Sequence, residues 1–195
     1  MILKPENLNL KAISGFSLIE MMVVLTIFGI MTAVVLANFP AFRDKTALDL
    51  IAQEIATTIR QAQVYGIGTR SAGADPSTQF SAYGIYFDLN PAVLGKKNFY
   101  LYADKNPNDG YSDEDPNSVI ENFAIRGAAE VKELCNDSND CTQTLDILFQ
   151  RFYPEASFIN NPGSSYVKII LRSTRINDTR SIEVWNTGQI VVKPS

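Results

Sequence analysis

The chain has 195 residues, 46% hydrophobic and 19% charged, which is enough for one domain with a real core and hardly enough for two. It contains no histidine, so a Ser/His/Asp triad, a Cys/His nucleophile pair, a histidine general base and a histidine-ligated zinc or haem are all excluded. Two cysteines cannot build a four-thiolate zinc or iron-sulfur site, and a formal net charge of -4 gives the whole chain no electrostatic footprint for nucleic acid.

The first element is an apolar run. From Phe16 to Phe39 nearly every residue is apolar, and no charge occurs between Met21 and Phe42. As a helix those residues would span about 36 Å, enough to cross a bilayer core of roughly 30 Å, so a transmembrane helix is expected in preference to a buried core helix. A secretory signal peptide is the competing reading, because Lys4 and Lys11 precede the run. The run exceeds the roughly 7 to 15 residues of a signal's apolar stretch, and no small-residue cleavage site follows near Asn38-Phe39-Pro40. Arg43 and Lys45 on the far side balance Lys4 and Lys11, so charge alone does not orient the segment. Glu20 is the exception inside the run. A carboxylate in hydrocarbon costs at least about 2.5 kcal/mol by insertion scales, so Glu20 needs a cationic partner or a shallow position among headgroups.

Gly15-Phe16-Ser17-Leu18-Ile19-Glu20, followed by the uncharged run from Met21 to Ala37, resembles the class III leader junction of type IV prepilins and type II secretion pseudopilins. The resemblance implies that residues 1–15 are a leader removed by a membrane prepilin peptidase, which cuts after Gly15 on the cytoplasmic side and methylates the new amino terminus at Phe16. It implies a membrane and filament-core helix over residues 16–40 that stays on the mature chain. It also supplies a partner for Glu20, the terminal ammonium of a neighbouring subunit's Phe16, in a low-dielectric setting where such a pair counts.

Helical spacing continues past the apolar run. Leu48, Ile51, Ile55, Ile59 and Ala62 recur at intervals of three and four, with Asp49, Gln53, Glu54, Arg60 and Gln61 on other faces, which predicts an amphipathic helix to about Tyr65. Pro40 is expected to kink this helix, and Gly66 and Gly68 to end it. Strands are predicted near Phe80 to Asp88, Phe99 to Ala103, Val119 to Ile125, Leu145 to Phe152, Tyr166 to Ser173, Arg180 to Asn186 and Gln189 to Val192. The last two are joined by Thr187-Gly188, a tight hairpin signal. A long helix followed by antiparallel strands makes an α+β fold with a β-rich head over residues 41–195, and the prepilin resemblance implies that this fold is pilin-like.

The acidic stretch from Asp104 to Asp115 alternates oxygen-bearing side chains around Gly110 and resembles the start of an EF-hand loop, although its glycine comes one residue late and no helix pair brackets it. Asp104, Asn106, Asn108 and Asp113 are the candidate Ca2+ ligands; the alternative is a solvated Asx/Gly turn, and no other cofactor is indicated. Cys135 and Cys141 bracket five residues. If the head lies outside the cytoplasm they should form a disulfide worth about 2 kcal/mol in the chain-entropy model, the alternative being two buried thiols. Residues 151–195 carry Arg172, Arg175 and Arg180, a candidate phosphate-binding set whose alternative is a solvated strand face.

Phe152-Tyr153-Pro154, Val167 to Arg172, Arg180 to Val184 and Thr187-Gly188-Gln189-Ile190 resemble the closing strands of the GspH/FimT group of minor pseudopilins and minor pilins. Some members of that group bind DNA through arginines after the last glycine. Here Gly188 is followed by Gln189-Ile190-Val191-Val192-Lys193, so nucleic acid is not expected as a partner. The resemblance implies a non-enzymatic structural subunit, anchored by one pass in the inner membrane with an extracytoplasmic head. It would assemble with other pilin or pseudopilin subunits into a pilus or pseudopilus through an assembly-platform membrane protein. The reading from a different class is a membrane-anchored extracytoplasmic binding module that captures a ligand through Ca2+ at the acidic loop, or DNA through the arginines.

Overall fold

The computed structural model describes residues 15–68, 80–105, 109–112 and 119–194. The chain divides into two compact units, residues 1–40 and 41–195. One helix, α1 (Leu18–Ile67), contributes to both and continues through Pro40, which forfeits one intrahelical N–H bond. In the first unit every described side chain from Phe16 to Phe39 is exposed.

The second unit is a head of ten strands in two antiparallel sheets. These are β1 (Ala82–Asp88), β2 (Asn98–Asp104), β3 (Val119–Ala124), β4 (Ala129–Asn136), β5 (Cys141–Thr142), β6 (Thr144–Gln150), β7 (Ala156–Phe158), β8 (Tyr166–Ser173), β9 (Thr179–Trp185) and β10 (Ile190–Pro194). The first sheet has the order β3-β2-β1-β6-β7 and the second β10-β9-β8-β4-β5. Most of the helical stripe predicted from the spacing does the packing: Leu48, Ile55, Ile59 and Ala62 are buried, together with Ala52, in one core with Ile85, Phe99, Ile147 and Phe149 of the first sheet and Val131, Ile169, Leu171 and Ile182 of the second, whereas Ile51 is only partly buried against it. An α+β head built on an amphipathic helix is therefore the observed class.

Several local expectations change. The helix runs through Gly66, where an added Cβ would lie 2.8 Å from the Phe149 carbonyl oxygen. Glycine is needed there for close approach to β6, and the Phe152 N–H donates to the Gly66 carbonyl at 3.2 Å. The helix ends at Ile67, just before Gly68, whose N–H donates to the Val64 carbonyl at 2.9 Å. The first strand begins at Ala82, and the one predicted through Phe152 stops at Gln150 because Phe152 takes a positive φ of 70°. Strands β4, β5 and β7 are additional to the predicted set. In β4 the pairing with β8 slips between Val131 and Glu133, so the inward residues are Ala129, Val131 and Leu134. That bulge breaks the period of two on which a strand signal depends. The β9–β10 loop is Asn186-Thr187-Gly188, three residues closed by Gly188 N–H to Trp185 O and Trp185 N–H to Gln189 O, both at 2.8 Å. Gly188 has φ of 82°, the left-handed residue that such a three-residue loop requires.

Candidate functional site

The junction at Gly15-Phe16 lies just before the helix. Gly15, Phe16 and Ser17 are non-helical and exposed, and α1 starts at Leu18. The start has a local cause: the Ser17 hydroxyl accepts the Glu20 N–H at 3.3 Å, and the Ser17 carbonyl accepts the Met21 N–H at 3.2 Å. Ser17 is thus the N-cap, and Ser17-x-x-Glu20 has the spacing of a capping box. That spacing is a sequence signal for the helix start that the hydrophobic reading passed over. It also places the Glu20 carboxylate in the first turn, where the helix dipole favours an anion.

An added Cβ at Gly15 would meet nothing within 4 Å. The fold itself therefore imposes no demand for glycine at this position. Beyond the junction, the hydroxyl groups inside the apolar run are satisfied within the helix: Thr26 donates to the Met22 carbonyl at 2.7 Å and Thr32 to the Phe28 carbonyl at 2.8 Å. Back-bonding of this kind leaves neither hydroxyl with a free donor, as a surface facing hydrocarbon would require. The helix is long and apolar enough to cross a membrane, and none of its apolar window is buried inside the protein.

In the head, Cys135 and Cys141 are bonded to each other and face one another across β4 and β5. The intervening turn is shaped by Asn136, whose side-chain oxygen accepts the N–H groups of Ser138 at 3.0 Å and Asp140 at 2.9 Å. Asp137 in the same turn accepts the Ser165 N–H at 2.9 Å, and this backbone bond holds its carboxyl below the ordinary range.

Of the candidate Ca2+ ligands, Asp104 ends β2, whereas Asn106, Asn108 and Asp113 lie outside the described residues. Among the described residues the one group of acids and thiols close enough to share a metal is Glu133, Cys135 and Cys141, and its two sulfurs are spent in the disulfide. What the acidic stretch does show is an anchor. Tyr111 stacks on Tyr86 with ring centroids 4.4 Å apart, and its N–H donates to Asp146 Oδ2 at 2.8 Å. Asp146 is buried on the outer face of β6 and also accepts the Tyr102 hydroxyl at 2.6 Å. Burial pushes the Asp146 carboxyl up to about 6, against the lowering effect of its two hydrogen bonds. The Tyr102 hydroxyl is raised far above the usual tyrosine range, by burial first and by the neighbouring Asp146 second.

The three arginines do not form a phosphate patch. Arg172 Nε and Nη2 bind Glu130 Oε1 at 2.7 and 2.6 Å. Arg180 is buried and paired with Asp49 of α1 and, at 2.8 Å, with Asp178; the bond to Asp49 is the largest cause of its raised pKa. Arg175 is 61% exposed and makes a longer pair, 3.5 Å, with Asp44.

A family model described as the prokaryotic N-terminal methylation motif matches residues 10–36. No curated protein and no solved structure matches the chain.

Proposed function

We propose that this chain is a minor pseudopilin or minor pilin of the GspH/FimT type, cleaved after Gly15 and methylated at Phe16. The N-terminal methylation motif supports a type IV pilin or pseudopilin structural subunit, and the long apolar helix leading into a β-sheet head fits that class. The observation that carries the reading is the motif match over residues 10–36, which ends inside an exposed apolar helix. Gly15 fits it, because a glycine the fold does not need is accounted for by a peptidase that reads the junction.

The mechanism is assembly. The apolar helix stores the subunit in the inner membrane, and moving it into a helical bundle replaces lipid contacts with helix packing. A head-to-tail contact repeated by one rotation and rise then builds an open fibre. The test is mass spectrometry of protein extracted from membranes of cells with an active prepilin peptidase. The expected chain begins at N-methyl-Phe16, and a chain beginning at Met1 would overturn the reading.

A further inference from the structure

At the end of the head where α1 enters it, a cavity of about 220 Å³ lies between the helix, the β3–β4 connection and the segment after β8. Its walls include Arg43 and Asp44 of α1, Gly127 of the connection, and Ser173 and Arg175. That is smaller than the roughly 300–1,000 Å³ of a pocket for a drug-sized ligand. It has the size of a site for a single small polar group.

The chemistry of the walls is cationic. The Arg43 side chain has no partner among the described residues. Arg175 is largely exposed and only loosely held by Asp44 at 3.5 Å. Lys97 reaches the same connection, donating to the Gly127 carbonyl at 2.9 Å, and the adjacent Arg126 is exposed. The one acid in the walls is Asp44, so two arginines meet one carboxylate there, with Lys97 and Arg126 close by along the chain, in a protein whose net charge is -4. Ser173 is 8% exposed, and its Oγ accepts the N–H groups of Arg175 at 3.3 Å and Ile176 at 3.4 Å. Its own hydroxyl proton has no acceptor among the described residues, which leaves a buried donor in the cavity wall.

Arg43 follows Phe39, the last residue of the apolar run, by four positions, or about 6 Å of helical rise. A cationic pocket this close in the chain to a membrane span meets phosphate at the lipid surface. We propose that this cavity binds the phosphate of an anionic phospholipid headgroup, with Arg43 and Arg175 supplying charge and Ser173 a hydrogen bond. This rests on the reading of α1 as membrane-spanning in its first half.

The test uses the full chain reconstituted into vesicles of phosphatidylcholine with a minor fraction of phosphatidylglycerol, followed by flotation and by native mass spectrometry of the lipids retained. Phosphatidylglycerol should be retained in preference to phosphatidylcholine, and Arg43→Gln and Arg175→Gln should each lower that preference about fivefold. Gly127→Asp should abolish it and Gly127→Asn should not; both side chains tolerate the positive φ of 70° there, so the pair separates charge from backbone. Equal retention of both lipids by a chain that floats would overturn the proposal alone. Full displacement of phosphatidylglycerol by millimolar inorganic phosphate would assign the site to a free anion and overturn the lipid. A chain that does not float would overturn the membrane reading of α1 as well.

Discussion

Tyr102 lies across Gly84 to bring its hydroxyl 2.6 Å from Asp146 Oδ1, so a glycine on β1 and a tyrosine on β2 together position a buried carboxylate on β6. Gly84 is paired with Tyr102 on one side and Leu148 on the other, and Asp146 stands opposite Tyr86. The Tyr111 segment closes over this face. An acid-base group and a ring stack thus hold the acidic stretch to the sheet at Tyr111.

Asp146 should make the head less stable as pH rises. Its folded pKa of about 6 lies above the unfolded 3.8, so the native state binds the proton more tightly. Stability from this group is fully present below about pH 4 and is lost as pH rises through 6, on the order of 3 kcal/mol in total. Asp146→Asn removes the titration. Urea unfolding of the head from Ala41, followed from pH 4 to pH 7, should show the stability difference between wild type and variant changing by that order across this window. Parallel curves would contradict it.

Gly84→Ala should displace the ring. An added Cβ would lie 2.6 Å from Cε1, Cζ and the hydroxyl oxygen of Tyr102, inside a packed layer that cannot yield. The expected loss is roughly 1–3 kcal/mol. Tyr102→Phe loses the same hydrogen bond, so the two changes together should cost clearly less than their sum. Additive losses in thermal melts would mean the ring stays on Asp146.

Gln63 of α1 ties two loops to the helix. Its side-chain amide donates to the Pro154 carbonyl at 2.7 Å and the Gly188 carbonyl at 3.1 Å, while its oxygen accepts from Arg60 at 2.6 Å. Gln63→Ala leaves two carbonyls without a donor and should cost about 1–3 kcal/mol. Gln63→Glu should cost no less, since a carboxylate cannot donate. Hydrogen exchange should quicken at Gly188 and Trp185, which close the hairpin, before it changes in β8.

The disulfide should be present in exported protein and contribute about 2 kcal/mol, because it closes a short loop. Thiol labelling after denaturation without reductant should find no free thiol. Two labelled thiols per chain would contradict it.

How much of this was legible in the sequence depended on the range of the interaction. The helix face from Leu48 to Ala62 and the strands β8 and β9 obey one period from end to end, and so could be read directly. β4 could not, because its bulge at Lys132 shifts the inward positions and leaves a Glu/Lys-rich stretch with no alternation. β5 and β7, of two and three residues, are too short to carry a period. Cys135 and Cys141 are near neighbours in the chain, so their pairing was visible. Arg172 looked free because its carboxylate, Glu130, stands 42 residues away, and the Asp49 partner of Arg180 was hidden at 131 residues, although its second partner, Asp178, is only two residues off. The same distance hid Asp146, whose tyrosine partner comes from another strand.

Glu20 should matter for assembly and leave the head's stability unchanged. It lies in the unit of residues 1–40, whereas the buried core belongs to residues 41–195. Its carboxylate is exposed in the first turn of α1, and no intramolecular cation holds it among the described residues. In hydrocarbon such a group costs at least about 2.5 kcal/mol, so on the proposed reading it is neutralised by the methylated ammonium of a neighbouring Phe16. Glu20→Ala removes the cost in the membrane and the attraction in the fibre together, and Glu20→Gln keeps the shape while removing the charge. Both variants should melt like wild type in the head, retain cleavage after Gly15, and enter fibres several-fold less often in a competition with wild-type subunits. If both enter as often as wild type, the carboxylate contacts only headgroups; if Gln alone is accepted, shape rather than charge selects the subunit.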